Sequence, residues 1–292
     1  MQDWEGVSEF AAVARTLSFT QAAARLGIST AQVSRRVSAL ETRLGVKLLQ
    51  RTTRNVSMTE QGETYYNHIR RALDGLAEAE RAVTQVNAAL AGRMYVTAPV
   101  TFGESTIGPL VNEFLTRHPA LEVTLTLTNQ QVDLVAEGYD LAIRLGTLQD
   151  SSLIAKRLAA RTLHVCASPA YLAPRATPLR PADLSQHNCL QGTLDHWRFQ
   201  QSGRLRQLRV HGNLRCNSGW SLLDAAVRGV GLVQLPDYYV RTALAEEKLV
   251  LVLEAFRPPE EGVWAVYPPN RNLSSKVRLL IDFLAERLGK PG

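Results

Sequence analysis

From Tyr65 to Leu90 the chain carries two interleaved rows of residues spaced seven apart. Tyr65, Ala72, Ala79 and Val86 form one row; Ile69, Leu76, Val83 and Leu90 form the other, four residues on. An apolar period of 3.5 residues is the mark of an α-helix that buries a narrow seam against a second helix. At 1.5 Å per residue the segment runs for about 39 Å. One reading is an amphipathic helix lying on its own domain. A strict period over this length favours pairing with another copy instead, and the alanines in the first row permit close approach. Gly75 falls on the outer face and lowers helix propensity there. The helix divides the chain into residues 1–62, a dimerising linker at 63–91 and a longer segment at 92–292.

The segment before the helix holds three short helical patterns. Val7, Phe10, Val13, Ala14 and Leu17 recur at helical spacing. Ser18-Phe19-Thr20-Gln21 is a capping box that opens a second helix, and Gly27 ends it. Ser29-Thr30-Ala31-Gln32 is another capping box. It starts a helix with Val33, Val37, Leu40 and Leu44 on one stripe, stopped by Gly45. Two capped helices joined by a glycine turn are the sequence form of a helix-turn-helix. The inward stripe leaves Thr30, Ala31, Ser34 and Arg35 outward on the first two turns, the part of a recognition helix that reaches base edges. Beyond Gly45, alternating residues on either side of Arg51-Thr52-Thr53-Arg54 read as a two-stranded wing, or more plainly as a basic surface hairpin.

Charge supports a polyanionic partner for this region. Between Arg25 and Arg54 there are seven cations (Arg25, Arg35, Arg36, Arg43, Lys47, Arg51 and Arg54) against one acid, Glu41. That excess equals the net +6 of the whole chain. Concentration of the entire surplus in thirty residues fits phosphate neutralisation better than a solvated face does. The candidate DNA contacts are Ser29, Thr30, Ala31, Gln32, Ser34, Arg35, Arg36, Arg51, Thr53 and Arg54.

The runs Ser18 to Ala23, Val33 to Glu41, Leu44 to Arg51 and Met58 to Gly62 keep their order and spacing without interruption, and together they resemble the DNA-binding domain of LysR-type transcriptional regulators. The commonest family form has Phe where Leu49 stands. The resemblance implies an N-terminal winged helix-turn-helix that binds double-stranded DNA at a partly palindromic operator. It also implies that the long helix pairs antiparallel with its mate, giving a homodimer that more often assembles into a homotetramer. Neither a cofactor nor a metal is implied.

After Gly92 strands and helices alternate. Met94–Ala98, Leu121–Leu127 and Asp140–Leu145 read as strands, with helices at Ile107–His118 and Val132–Glu137, a βαβαβ pattern with an open and mostly parallel sheet. A second unit follows. It has a strand at Thr162–Ala167, helices around Ala170 and Ala182, strands near Leu190 and Leu208, a helix at Trp220–Arg228 and a strand at Gly231–Leu235. Val263–Tyr267 and a helix at Ser274–Arg287 have the lengths needed to return to the first unit. The layout resembles the family's two-lobed α/β effector domain, which is like periplasmic binding proteins. One lobe covers about 92–161 and 265–292, the other about 162–264.

Ligands in such folds lie between the lobes, at strand C-termini and helix N-termini. The candidates are Thr101, Phe102, Thr128, Asn129, Arg144, Gly146, Thr193, Asn217 and Ser218. Hydroxyls and free N–H groups suit a small anion, and Arg144 suits a carboxylate. Arg144 can equally serve a structural ion pair, and Asn217 and Ser218 can be helix caps.

Other classes are weakly supported. No HExxH, Cys/His cluster, GxSxG elbow or Walker loop is present, and Gly229-Val230-Gly231 lacks the third glycine of a dinucleotide loop. A DNA-binding domain fused to an enzyme is therefore the weaker alternative. Cys166, Cys189 and Cys216 leave open a thiol-redox sensor, although Cys166 sits in an apolar strand and the other two in strand-like context, where a small buried hydrophobe is usual. The first residues carry Asp3 and Glu5 with no basic cluster, and no apolar run is long enough to span a bilayer, so the expected location is the cytoplasm. If the seam pairs two copies, Leu76→Asp lowers the oligomer mass in light scattering while each domain stays folded. An unchanged mass would place the seam inside one chain.

Overall fold

The computed structural model describes residues 4–51, 55–84, 90–148, 150–269 and 273–289. Helices α1 (Val7–Thr16), α2 (Phe19–Leu26) and α3 (Thr30–Leu44) are followed by strands β1 (Leu49–Arg51) and β2 (Val56–Met58) and the long helix α4 (Glu60–Thr84). Next come β3 (Gly92–Ala98), a single turn α5 (Val100–Phe102), α6 (Gly108–Arg117), β4 (Leu121–Leu127), β5 (Leu141–Gly146) and β6 (Ile154–Arg161). The chain continues with β7 (Leu163–Ala167), α7 (Pro169–Leu172), β8 (His196–Gln201), β9 (Arg204–Arg209) and α8 (Gly219–Val227). It ends with β10 (Val233–Pro236), α9 (Asp237–Ala245), β11 (Val250–Val252), β12 (Glu261–Tyr267) and α10 (Ser275–Leu288). No helix among the described residues is long and apolar enough to cross a membrane.

The chain forms two compact units. The first is Met1–Ile143, Ser151–Ala155 and Ala265–Leu284; the second is Arg144–Asp150, Lys156–Trp264 and Ala285–Gly292. The first unit opens with the winged helix. Ser18 and Ser29 cap α2 and α3 as their spacing requires, but only Ser29 forms a reciprocal box, with Gln32 Oε1 accepting from its N–H. Gly27 and Gly45 end these helices at positive φ, 66° and 70°. β1 and β2 pair antiparallel, Leu49 opposite Met58. The core gathers Phe10, Val13, Ala22, Val33, Val37, Leu40 and Leu48, and α4 adds Ile69 with Tyr65, Tyr66 and Leu73 packed against it.

That last contact corrects the seam. Tyr65 and Ile69 do not wait for a partner helix: Ile69 is buried, and the Tyr65 ring lies 5.6 Å from that of Phe10. The first turns of α4 close the winged-helix core, so the stripe opens only beyond them. Ala72, Leu76 and Ala79 continue it and are exposed, Leu76 at 58%. Val86 and the Val83 side chain lie outside the described residues, and Leu90 is half-buried beyond the helix.

Another face of α4 docks on the α/β part of the same unit. Asn67 Nδ2 donates to Ala136 O at 3.1 Å. Arg71 donates to Leu134 O at 2.6 Å and Val135 O at 3.2 Å. Arg70, only 7% exposed, donates to Gly138 O and stacks on the Tyr95 ring at 3.5 Å. The segment that receives these bonds was expected to be a helix at Val132–Glu137. It is a lone turn, closed by Glu137 N donating to Asp133 O at 2.9 Å. Its carbonyls are left for the two arginines, which take the place of a further helical turn.

In the five-stranded sheet the order is β4-β3-β5-β12-β6, with β3 parallel to both β4 and β5 as the βαβαβ pattern implied. The second unit contains an antiparallel sheet. β7 is flanked by β10 and β11, both antiparallel to it. α9 carries the chain from β10 to β11 across β7, so the helix-connected pair flanks a strand of opposite sense. Around Leu190 there are only isolated bridges, from Cys189 to Leu232 and Gln191 to Arg215.

Two glycines of α4 separate packing from propensity. A Cβ on Gly62 would run into the Leu48 carbonyl, whereas one on Gly75 meets nothing within 4 Å. Gly62→Ala should therefore lower stability by about 1–3 kcal/mol through overpacking. Gly75→Ala should raise it by roughly 0.5–1 kcal/mol. Urea unfolding followed by circular dichroism gives both signs, and equal effects would show that Gly62 is not held against the wing.

Candidate nucleic-acid interface and ligand site

The outer face of α3 comes from the helix's own periodicity. With Val33, Val37 and Leu40 buried, Thr30, Ala31 and Arg35 are exposed on the first two turns. Arg35 makes no hydrogen bond or ion pair to a described residue, so its guanidinium is available to an incoming acceptor. Arg51 stands beside it in the arrangement of the site: its Nη1 donates to Ser34 Oγ at 2.8 Å and its guanidinium lies 4.3 Å from the centre of the Phe19 ring. One side chain thus connects wing, recognition helix and α2. Thr53 and Arg54, the expected wing tip, lie outside the described residues.

Three expected contacts carry structural work. Ser29 and Gln32 spend their oxygens on the capping box, with Ser29 N donating to Gln32 Oε1 at 3.2 Å. Arg36 turns toward α1 and pairs with Glu9 at 2.6 Å and Glu5 at 3.9 Å. The Glu9 hydrogen bond, then its charge, holds the Arg36 guanidinium above its ordinary range. A buried carboxylate such as Glu9, 7% exposed, needs a cation, and Arg36 is the one in reach.

Glu41 is the functional support that counting charges missed. It is 3% exposed and accepts from Leu48 N at 3.0 Å, Leu49 N at 3.1 Å and Lys47 Nζ at 2.9 Å. Burial opposes its ionisation, but the Lys47 bond and the two backbone N–H groups outweigh that and keep the carboxyl below its ordinary range. The signal was in the spacing: Glu41 follows Val37 by four residues, on the apolar stripe.

The ligand candidates separate by unit. In the first, Thr101 and Phe102 form the turn after β3, with Phe102 buried. Asn129 accepts from Val100 N at 3.1 Å and Thr128 Oγ1 from Gln130 N at 3.1 Å. Asn129 is thereby already a brace for the turn, and the Val100 N–H is not free for an anion. Gly103–Ile107 then winds as one π-helical segment, a rarity that recurs at functional sites.

In the second unit, Gly146 has φ 95° and its carbonyl accepts from Trp264 Nε1 at 2.8 Å. Arg144 is half-buried just before it. Thr193 is exposed, and its carbonyl accepts from Arg215 at 3.0 Å. Ser218 is a helix cap, accepting from Ser221 N at 3.3 Å, and Asn217 is exposed beside it. A cluster that sequence reading passed over is centred on Glu261, which bonds Arg161 at 2.7 Å and also Arg198. These residues are far apart in sequence: β6 and β12 are neighbours in one sheet, and β8, of another sheet, brings Arg198 to them.

Residues 5–63 match the family model described as bacterial regulatory helix-turn-helix protein, lysR family, and residues 87–289 match the LysR substrate binding domain. The chain belongs to the LysR family of transcriptional regulators. A Haemophilus influenzae protein named only as an uncharacterized HTH-type transcriptional regulator is 34% identical over 281 residues, 95% of this chain and 98% of its own. CrgA of Neisseria meningitidis has a solved structure similar to this regulator. Its TM-score is 0.61 at 32% identity, over 99% of this chain and 100% of that one. Full-length AphB of Vibrio cholerae aligns with TM-score 0.62 at 29% identity, covering 96% and 98%.

If α3 of this LysR-type regulator reads base edges and the wing holds phosphate, substitutions in the two have different effects. Arg35→Ala should weaken binding to a selected operator by about 1–3 kcal/mol and relax preference at one position per half-site. Arg51→Ala should weaken all duplexes alike and reduce the salt slope by about one. Fluorescence anisotropy across a salt series measures both, and full operator preference in Arg35→Ala would remove it from base readout.

Proposed function

We propose that this DNA-binding LysR-type regulator reads a partly palindromic operator as a homodimer and is controlled by a small anion, most simply a carboxylate, bound by its substrate-binding domain. The observation that carries the first half is the exposed first two turns of α3, with Arg35 unpartnered among the described residues and Arg51 braced on Ser34. Pairing of two copies is supported by the exposed run Ala72, Leu76 and Ala79, which continues a stripe half-buried at Tyr65 and buried at Ile69. Burying a leucine is worth about 1.5–3 kcal/mol, enough to make Leu76 a driving force for association.

The candidate effector residues are Thr101, Phe102, Thr128, Arg144, Gly146, Thr193 and Asn217, with Asn129 and Ser218 holding the local backbone. A carboxylate is favoured by the hydroxyls and the arginine together. A thiol switch is disfavoured. The regulatory domain of AphB from Vibrio vulnificus has a structure after cumene hydroperoxide treatment, but in this chain burial pushes the Cys166 and Cys189 thiols up to about 12. Thiolate is the reactive form, and those two sites withhold it.

A thermal-shift screen of the full chain over carboxylates, amino acids and aromatic acids identifies the effector. With it in hand, Thr101→Val and Arg144→Ala should each lose the response in a reporter. Operator affinity without the effector should stay within about threefold, or roughly 0.6 kcal/mol. Normal responses in both variants would move the sensor elsewhere.

A further inference from the structure

A polar cavity lies within the first unit, away from the strand ends that carry the effector candidates. It measures about 460 Å³ and is walled on one side by Arg71, Asp74 and Gly75 of α4. The other wall is Asp140 with the start of α10, where Ser274, Lys276 and Arg278 contribute. Asp140 precedes β5, so this cavity adjoins the N-terminal end of that strand, whereas Arg144 and Gly146 lie at its C-terminal end.

Three observations at its wall point to a missing partner. Lys276 is 5% exposed, yet it makes no hydrogen bond or ion pair to any described residue; the charge it is felt by is that of Asp140. Ser274 Oγ is buried without a hydrogen-bond partner. Arg71 Nε is buried and unpartnered too, although the same side chain's Nη2 bonds Leu134 O, Val135 O and Tyr139 O. Buried polar groups left in this state are rare in folded proteins and mark an absent acceptor. The first turn of α10, a 14-residue helix, adds N–H groups that favour an anion.

The acids do not cancel this. Asp140 Oδ2 accepts from Tyr95 N at 2.8 Å. Its carboxyl is pushed up by burial, toward the neutral form. Three cations therefore face Asp74 and a carboxyl whose charge is disfavoured.

We propose that this cavity is a second ligand site, specific for a small organic anion carrying a carboxylate or phosphate group that seats on Lys276, Ser274 Oγ and the first turn of α10. Leu273 and Val277 supply apolar wall for the rest of the molecule. Because α4 forms the opposite wall and also closes the winged-helix core, an occupant braces α4 against the α/β part of the unit. Gly75 leaves that wall bare, and a Cβ added there meets no atom within 4 Å.

The test uses the full chain with inorganic phosphate and with succinate, against chloride at matched ionic strength. At about 10 mM, at least one should raise the Tm by roughly 2 °C or more. Calorimetric titration should show Lys276→Met and Gly75→Leu binding that anion at least about 10-fold more weakly, whereas Thr101→Val retains the binding event that those two variants lose. Stabilisation by phosphate alone assigns a phosphate ester, and by succinate alone a carboxylate. If Lys276→Met fails to fold by circular dichroism, Gly75→Leu and Arg278→Ala decide. No shift with either anion, or undiminished binding in Gly75→Leu and Arg278→Ala, overturns the site. Loss of binding in Thr101→Val alone would assign the anion to the strand ends instead.

Discussion

One helix is asked to satisfy several neighbours at once, and the arrangement of the first unit depends on it. At 100° per residue, Tyr65, Ile69, Ala72, Leu76 and Ala79 fall on one stripe of α4, while Asn67, Arg70, Arg71 and Asp74 fall on the far side. The stripe closes the winged-helix core at its first turns and is exposed beyond them. The far side grips the carbonyls of residues 134–139 through two arginines. Charge-assisted bonds of this kind are worth about 1.5–3 kcal/mol each when shielded from water. That is comparable to burying Ile69, so neither face is a minor one. Any rotation of α4 about its axis would disturb both.

Within the DNA-binding part, electrostatics is used for two separate purposes. Arg35 and Arg51 face outward; Arg36 and Lys47 neutralise buried or half-buried acids. Glu41 joins the end of α3 to the start of β1 by three bonds, and the position of the wing follows from them. Its carboxyl is held below the usual range, so its contribution is fully present above the unfolded value of about 4.3 and is lost as pH falls through the lower folded value. Acid should therefore loosen the wing.

The substrate-binding domain shows a different economy of polar groups. Many of the side chains that suit an anion by type are committed to the backbone: Asn129 to Val100 N, Thr128 to Gln130 N, Ser218 to Ser221 N. They give the turns their shape. At the junction of α4 and α10, by contrast, Lys276, Ser274 and Arg71 retain capacity. Recognition of a ligand depends on such unspent donors more than on residue type.

Local rules settled a good deal of this protein from sequence. The capping residues, glycine stops and apolar stripes of α2 and α3 depend on neighbours within four positions, and the outward face of α3 follows from them. The strands β3, β4 and β5 were legible for the same reason, as period and turn chemistry are local, although the helix expected between β4 and β5 is a lone turn. Tertiary structure decided what local pattern cannot encode. The same stripe on α4 is core at Ile69 and surface at Leu76, because only the folded chain determines where α1 ends. Arg35 and Arg36 are adjacent cations with opposite assignments, because Glu9, twenty-seven positions from Arg36, waits on one side only. The antiparallel flanking of β7 and the Glu261 pairs with Arg161 and Arg198 join residues up to about a hundred positions apart. Such pairings have no period to read: each is selected by burial, where an unpaired charge or open strand edge is too unfavourable to persist.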